Sequence, residues 1–283
     1  MTNSKAARFL TSDMWYWRMR RYLAPGLRNA MYMYFDKLDE AVKPGIRWLD
    51  IGCGRQVFPP WIQNHLAIEN RIVTRAGEFV GVDPDAESLA NNKLPMVKHH
   101  GSADRIPEPD SSFDLITANM VFEHIEDPGR VLNEVNRLLK PGGTFLMHTP
   151  NALYPVTLAA AAVPFRLRQY ITAWLERRPV ITVYPTWYRV NRCSTIRKLA
   201  SENGLDIVEL KRTEDSPETI GLGPLVVFEL SLIALTRTRL LNAMTSNLIV
   251  TFAKPAEPGS LAMPMHAEES PMHRQAPRQE AAA

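Results

Sequence analysis

The apolar positions of this chain change rhythm along its length. From Ile46 to Pro150, short apolar runs alternate with segments of helical period, which predicts an α/β fold built on a parallel sheet. Runs at 47–51, 78–82, 96–99, 113–118 and 143–148 read as strands. They are short and nearly continuous in apolar residues, as strands covered on both faces must be. The clearest helix is 128–139, where Val131, Leu132, Val135, Leu138 and Leu139 share one face. Pro141-Gly142-Gly143 is expected to stop it and turn the chain into the next strand. Between Gly54 and Glu78 the connection is long and holds Pro59-Pro60, so the first crossover carries an insertion.

On either side the rhythm differs. Met14, Trp15, Trp17, Tyr22, Met31, Tyr32, Tyr34 and Phe35 are spaced for one or two helices broken near Pro25-Gly26. They predict a helical cap over 1–45, packed on the main core or in part lining an acceptor pocket. Residues 151–193 interrupt the alternation with the small apolar run Ala159–Val163 and the segment Tyr184-Pro-Thr-Trp-Tyr188. An insertion at the carboxyl edge of a sheet is where α/β enzymes place a substrate lid. A helix at 194–203 stopped by Gly204, a strand at 205–211, two apolar helical stretches within 220–244 and a last strand at 247–253 follow. The predicted organisation is a cap (1–45), a main domain (46–254) with insertions at 151–193 and 214–246, and a disordered tail (255–283) rich in Pro, Ala, Glu and Met.

Composition excludes several function classes. The 283 residues carry a net charge of only +3, and the basic residues are scattered apart from Arg18, Arg20 and Arg21 and a looser set from Arg166 to Arg178, so no nucleic-acid partner is expected. Cys53 and Cys193 are too few and too far apart for a disulfide framework or a zinc cluster. His99-His100 lacks companions at ligand spacing, so no metal is expected. Met-Thr-Asn-Ser-Lys-Ala-Ala-Arg has no apolar run behind it, and Ile220–Leu235 contains Glu229 and falls short of the roughly 20 residues of a spanning helix. A cytoplasmic protein is expected.

The chemistry gathers where strands end. Trp48-Leu-Asp-Ile-Gly-Cys-Gly54 is an apolar run that closes on Asp50 and breaks into two glycines, where a ligand can approach the backbone. Glu78-Phe-Val-Gly-Val-Asp83 also ends in an acid, placed to accept hydrogen bonds from the hydroxyls of a ribose. The pair predicts a nucleoside-type cofactor across the carboxyl ends of the sheet. A nicotinamide cofactor is disfavoured, because its fingerprint requires a small residue at 57, which is Val57.

Four ordered segments resemble the class I S-adenosylmethionine-dependent methyltransferases, over roughly residues 47–150. Leu49-Asp-Ile-Gly-Cys-Gly54 is similar to their first motif, and Val80-Gly-Val-Asp-Pro84 to the second. Gly101-Ser-Ala-Asp104 is similar to the segment whose acid reaches the adenine amino group. Asn119-Met-Val-Phe-Glu-His-Ile-Glu-Asp-Pro128, followed by Leu138-Leu-Lys-Pro-Gly-Gly143, resembles the branch that includes ubiquinone-biosynthesis methyltransferases. The resemblance implies a Rossmann-like seven-stranded sheet, mostly parallel with an antiparallel last strand and helices on both faces. It implies S-adenosylmethionine as cofactor, held by Asp50, Gly52, Cys53, Gly54, Asp83, Pro84, Ala103, Asp104, Asn119 and Met120. Gln56 departs from the family, which usually has a third glycine there.

An oxygen acceptor of high pKa needs a general base. His124 is the candidate, with support of the cofactor loop as its alternative role, and His148 is a second candidate. Oxygen is the expected target, since no Asn/Asp-Pro-Pro-Tyr/Phe signature of amino-group methylation follows the fourth strand. Tyr154, Tyr170, Trp174, Tyr184, Trp187, Tyr188 and Asn191 suit a small-molecule or glycan acceptor, or cement the lid to the core. The apolar stretches 156–165 and 220–235 suit a lipid-linked acceptor and peripheral contact with the inner membrane face, or a buried helix pair or homodimer contact. The rival functions are a non-catalytic methyltransferase-like scaffold and an NAD(P)-dependent oxidoreductase.

Overall fold

The structure is a computed structural model that describes residues 15–176, 184–217 and 219–256. Met14, the side chain of Trp174 and the tail from 257 lie outside the described residues. The chain opens with helix α1 (15–23), turns at Pro25-Gly26, and enters α2 (Ala30–Ala41), which Asn29 caps by accepting from Met31 N at 2.8 Å. Then come β1 (Arg47–Ile51), α3 (His65–Val73), β2 (Glu78–Asp83), α4 (Ala86–Asn91), β3 (Val97–His100) and β4 (Phe113–Asn119). After α5 (Pro128–Leu138) follow β5 (Leu139–Pro150), α6 (Pro155–Ala161), α7 (Phe165–Glu176), α8 (Cys193–Glu202), β6 (Asp206–Thr213), α9 (Leu225–Thr236) and β7 (Asn247–Ala253). No described helix is long and apolar enough to cross a membrane.

The seven strands form one sheet in the order β3-β2-β1-β4-β5-β7-β6. All neighbours pair in parallel except β7, which runs antiparallel to both β5 and β6. Strand order reverses between β1 and β4, and such a switch point opens a crevice at the carboxyl ends. Within each strand successive side chains enter opposite layers. Trp48, Phe79, Leu115, Leu146 and Ile249 pack beneath α2 and α3, against Tyr34, Phe35, Leu38 and Ile72. Leu49, Ile51, Val80, Ile116, Phe145 and Val250 pack on the other side, against Val131, Leu132 and Val135 of α5 and Ile196 of α8. A separate small core joins α1 to α9 through Tyr16, Ala24 and Leu27 against Val226, Leu230 and Ile233.

Four expectations are corrected. The strand expected at 96–99 lies at Val97–His100, set by pairing Val80 with Val97. The helix expected to reach 139 ends at Leu138, because Leu139 pairs with Phe113 and already belongs to β5. Pairing resumes at Leu115 with Thr144, so Pro141-Gly142-Gly143 forms an irregularity inside a longer strand rather than a turn before it. Within 220–244 there is one α-helix, not two. Gly223, at φ +62°, and Pro224 separate a short 3₁₀ turn (Ile220–Leu222) from α9, and a second such turn (Asn242–Met244) follows it.

Gly81, in the middle of β2, is where Cys53 and Met96 meet the sheet. A Cβ there would lie 1.8 Å from Met96 Cε and 2.6 Å from Cys53 Sγ. Met96 can swing aside, whereas the short Cys53 side chain cannot. Gly81→Ala is expected to destabilise by about 1–3 kcal/mol in denaturant unfolding, and adding Cys53→Ala should recover part of the loss.

Candidate functional site

At the switch point the chain leaves β1 through Gly52 and Gly54, at φ +70° and +48°, a region that side chains disfavour. At Gly52 a Cβ would also lie 2.4 Å from Val121 Cγ2, whereas beside Gly54 it would meet nothing within 4 Å. The loop is hydrogen-bonded to the end of β2. Gly52 N and Cys53 N donate to Val82 O at 2.8 and 3.3 Å, and Gly54 N donates to Asp83 Oδ2 at 2.9 Å. Asp83 Oδ1 accepts from Asp85 N at 2.8 Å, and Asp85 in turn caps α4 by accepting from Glu87 N at 3.0 Å. Glu69 of α3 accepts from the backbone N–H groups of Val57 and Phe58. Phe58 stacks on Phe35 with ring centroids 3.9 Å apart, and Val57 packs into the same layer. The chain has no helix at Gln56 or Val57, since α3 begins only at His65. A third glycine therefore has no close packing to serve.

Asp50 lies in β1 opposite Thr117 of β4 and is buried. Its Oδ1 accepts from Thr117 Oγ1 at 2.6 Å, and that hydroxyl accepts from Trp48 Nε1 at 2.8 Å. Burial pushes the Asp50 carboxyl up to about 7. The Thr117 hydrogen bond opposes this rise, while the charges of Asp83 and Glu69 add to it. Tyr34 of α2 is raised as well, first by burial and then by the Asp50 charge. Burial also raises the Cys53 thiol, so that it stays protonated and packs as a small apolar side chain.

At the end of β4, Asn119 Oδ1 bonds to His148 Nδ1 at 2.8 Å, and Met120 takes a left-handed φ of +56° while its N–H donates to His148 O at 2.9 Å. His148 is buried under this pair and stacked on Tyr34. Burial lowers its pKa to about 4, which keeps it neutral. Glu123 is buried too, and burial pushes it up to about 7 against a bond from Thr149 Oγ1. The Glu123 carbonyl accepts from Trp187 N at 2.7 Å and Tyr188 N at 3.3 Å. His124 Nδ1 bonds to Pro185 O at 2.7 Å, with its Nε2 3.8 Å from Glu123 Oε1. Tyr184 meets the His124 ring edge-on and donates through its hydroxyl to Asp85 Oδ2 at 3.1 Å. The segment 184–188 is thus a strap fastened at both the β4 and β2 ends of the crevice.

The fold brings Asp50, Gly52, Cys53, Gly54 and Asp83 around one loop, with Asn119 and Met120 at the end of the adjoining β4. Pro84 is exposed beside them, its carbonyl bonded to His100 Nε2 at 3.0 Å. Ala103 packs on the core and Asp104 stands exposed beyond β3. Glu69, Thr117, the place of Tyr34 beside Asp50 and the Tyr184–Asp85 bond do not stand out in the sequence. Only the strand register and the packing of α2 and α3 disclose them.

A family model described as a methyltransferase domain matches residues 16–210. The chain is 35% identical over 161 residues to a ubiquinone biosynthesis O-methyltransferase of Bradyrhizobium sp. (strain ORS 278), covering 53% of this chain and 57% of that protein. To the protein of the same name from Nitrobacter winogradskyi it is 29% identical over 201 residues, or 68% of this chain and 69% of the other. The chain thus spans little more than half the length of the first relative. The crystal structure of an S-adenosylmethionine-dependent methyltransferase from Mesorhizobium loti superposes with a TM-score of 0.50 at 21% identity, covering 79% of this chain and 98% of that one, a likeness of fold.

Because the folded state holds a proton on Asp50 up to about pH 7 and the unfolded chain only up to its ordinary value, Asp50 costs stability as pH rises through that window. Asp50→Asn should therefore raise the Tm of the ligand-free protein at pH 8, by on the order of 2–4 kcal/mol of stability, and leave it nearly unchanged at pH 4. Parallel Tm–pH curves for the two proteins would contradict the raised carboxyl.

Proposed function

The chain belongs to the methyltransferase domain family, and on that premise we propose that it transfers a methyl group from S-adenosylmethionine to an oxygen of a small-molecule, glycan or lipid-linked acceptor. The observation that carries the reading is the Asp83 carboxylate, buried at the β2 end and bonded to Gly54 N at 2.9 Å, next to the open space over Gly54. Each of its oxygens accepts one backbone N–H and keeps a lone pair for the hydroxyls of a ribose. The backbone of Gly52, Cys53 and Gly54 would flank the methionine part, and Asp50 supplies a negative charge for a cationic ligand. Pro84, Ala103 and Asp104 would line the adenine end, with Asn119 and Met120 at the end of β4. When bound, S-adenosylmethionine supplies an electrophilic sulfonium methyl. The protein's own contribution is then largely orientation, which can lower a barrier by up to roughly 7–11 kcal/mol.

His124 is the proposed base. With Nδ1–H donating to the Pro185 carbonyl, Nε2 is the nitrogen free of a proton, and Glu123 nearby would stabilise the imidazolium. The buried, neutral His148 holds Asn119 in place instead. The acceptor is proposed to enter a cleft of about 560 Å³ that the strap itself helps to line, walled by Leu158, Val163, Phe165, Trp187 and Tyr188 with Arg168 among them. Such walls suit an amphipathic molecule. That the relatives are named O-methyltransferases supports oxygen as the target.

Isothermal titration with S-adenosylmethionine should give saturable heat. Asp83→Ala should abolish it in a folded protein, while Asp83→Asn, which keeps one acceptor oxygen, should retain part. No heat from the wild type refutes the cofactor, and full affinity in Asp83→Ala refutes the ribose role. Labelled cofactor incubated with fractions of a cell extract should mark one fraction. Binding without any transfer would favour the scaffold reading.

A further inference from the structure

Among the described residues, helix α9 leaves one of its faces exposed. On α9 the positions facing away from the small core are Leu225, Phe228, Leu232 and Leu235, at i, i+3, i+7 and i+10, so they form one stripe along the helix. Phe228 is 72% exposed, and Leu240 just beyond the helix is 89% exposed. On α1, Trp17 at 61% and Tyr22 at 67% are exposed, as is Trp15. An apolar face of this kind is unusual on a protein surface and marks an interaction site.

Its charge identifies the partner. Residues 15–28 carry Arg18, Arg20, Arg21 and Arg28 and no acid. Residues 219–246 carry Arg237 and Arg239, and their one acid, Glu229, is buried and accepts from Thr219 N at 3.0 Å and Thr219 Oγ1 at 2.7 Å. Arg28 forms an ion pair with Asp36 and Arg20 donates to Leu27 O, so Arg18, Arg21, Arg237 and Arg239 are the arginines these segments leave at the surface, in a chain whose whole net charge is +3. Arg20 and Arg21 lie over the rings of Trp17 and Tyr22, at 5.3 and 4.9 Å from the centroids. A symmetric pairing of two copies through this face would bring like charges together, which disfavours a second copy as the occupant. Aliphatic and aromatic side chains that enter the headgroup–acyl boundary, with arginines beside them, match an anionic lipid surface.

We propose that the exposed face of α9 docks this protein peripherally on anionic lipid bilayers. The apolar stripe of α9 enters the boundary, while Arg237 and Arg239 at its end contact the headgroups. This surface is distinct from the crevice and does not depend on the methyl-transfer reading.

The test is co-sedimentation of the full chain with phosphatidylcholine vesicles made with and without phosphatidylglycerol. Wild type should pellet with the anionic vesicles, lose binding as salt is raised, and stay in solution with the neutral ones. Phe228→Ser with Leu235→Ser, and separately Arg237→Glu with Arg239→Glu, should each weaken binding roughly tenfold or more. Both pairs are at the surface, so circular dichroism and the S-adenosylmethionine titration should match wild type. A wild type that fails to pellet, or variants that pellet equally well, would overturn the proposal. So would an oligomer in light scattering that dissociates on Phe228→Ser with Leu235→Ser while wild type ignores vesicles.

Discussion

The edge of this molecule depends on the carboxylate of Asp83. One oxygen holds the Gly54 N–H and the other the Asp85 N–H, so a single side chain fastens the loop after β1 to the turn after β2. The loop can be fastened this tightly only because Gly52 and Gly54 adopt left-handed backbone and Gly52 leaves room for Val121. From that joint the rest of the edge is built outward. Asp85 begins α4 and also receives the Tyr184 hydroxyl, so the strap over the crevice is anchored through the same turn.

The joint sits in an unusual concentration of negative charge. Asp50, Asp83, Glu69 and Glu123 are buried, and none of them forms an ion pair with a lysine or arginine among the described residues. They are satisfied instead by backbone N–H groups and by the hydroxyls of Thr117 and Thr149. Burial raises Asp50 and Glu123 to about 7, so part of the charge is held back until something cationic arrives. The two apolar layers around Trp48 and Phe145 supply the stability that tolerates this arrangement. In the proposed reading the same feature that weakens the ligand-free fold favours a sulfonium ligand, a trade between stability and activity.

Much of this was legible in the sequence, because buried parallel strands announce themselves as short apolar runs. Asp50, Gly52, Gly54 and Asp83 stand at the ends of such runs in the sequence and at strand ends in the fold. Leu139 is ambiguous in the sequence because its apolar character serves a strand as well as a helix, and only its pairing with Phe113 decides. Thr117 and Glu69 are ordinary polar residues until the register sets one opposite Asp50 and α3 aims the other at Val57 N. Gln56 looked anomalous beside the glycines, and the delayed start of α3 accounts for it. The strap's attachments join Tyr184 to Asp85, 99 positions apart, a contact no local pattern encodes.

The most direct measurement is a crystal structure of the chain grown with S-adenosylhomocysteine. The ligand is expected in the crevice between the ends of β1, β2 and β4, with both ribose hydroxyls within hydrogen-bond distance of Asp83 and its amino acid part against Gly52–Gly54. A ligand bound elsewhere, or one in the crevice that leaves Asp83 without a contact, would contradict that expectation.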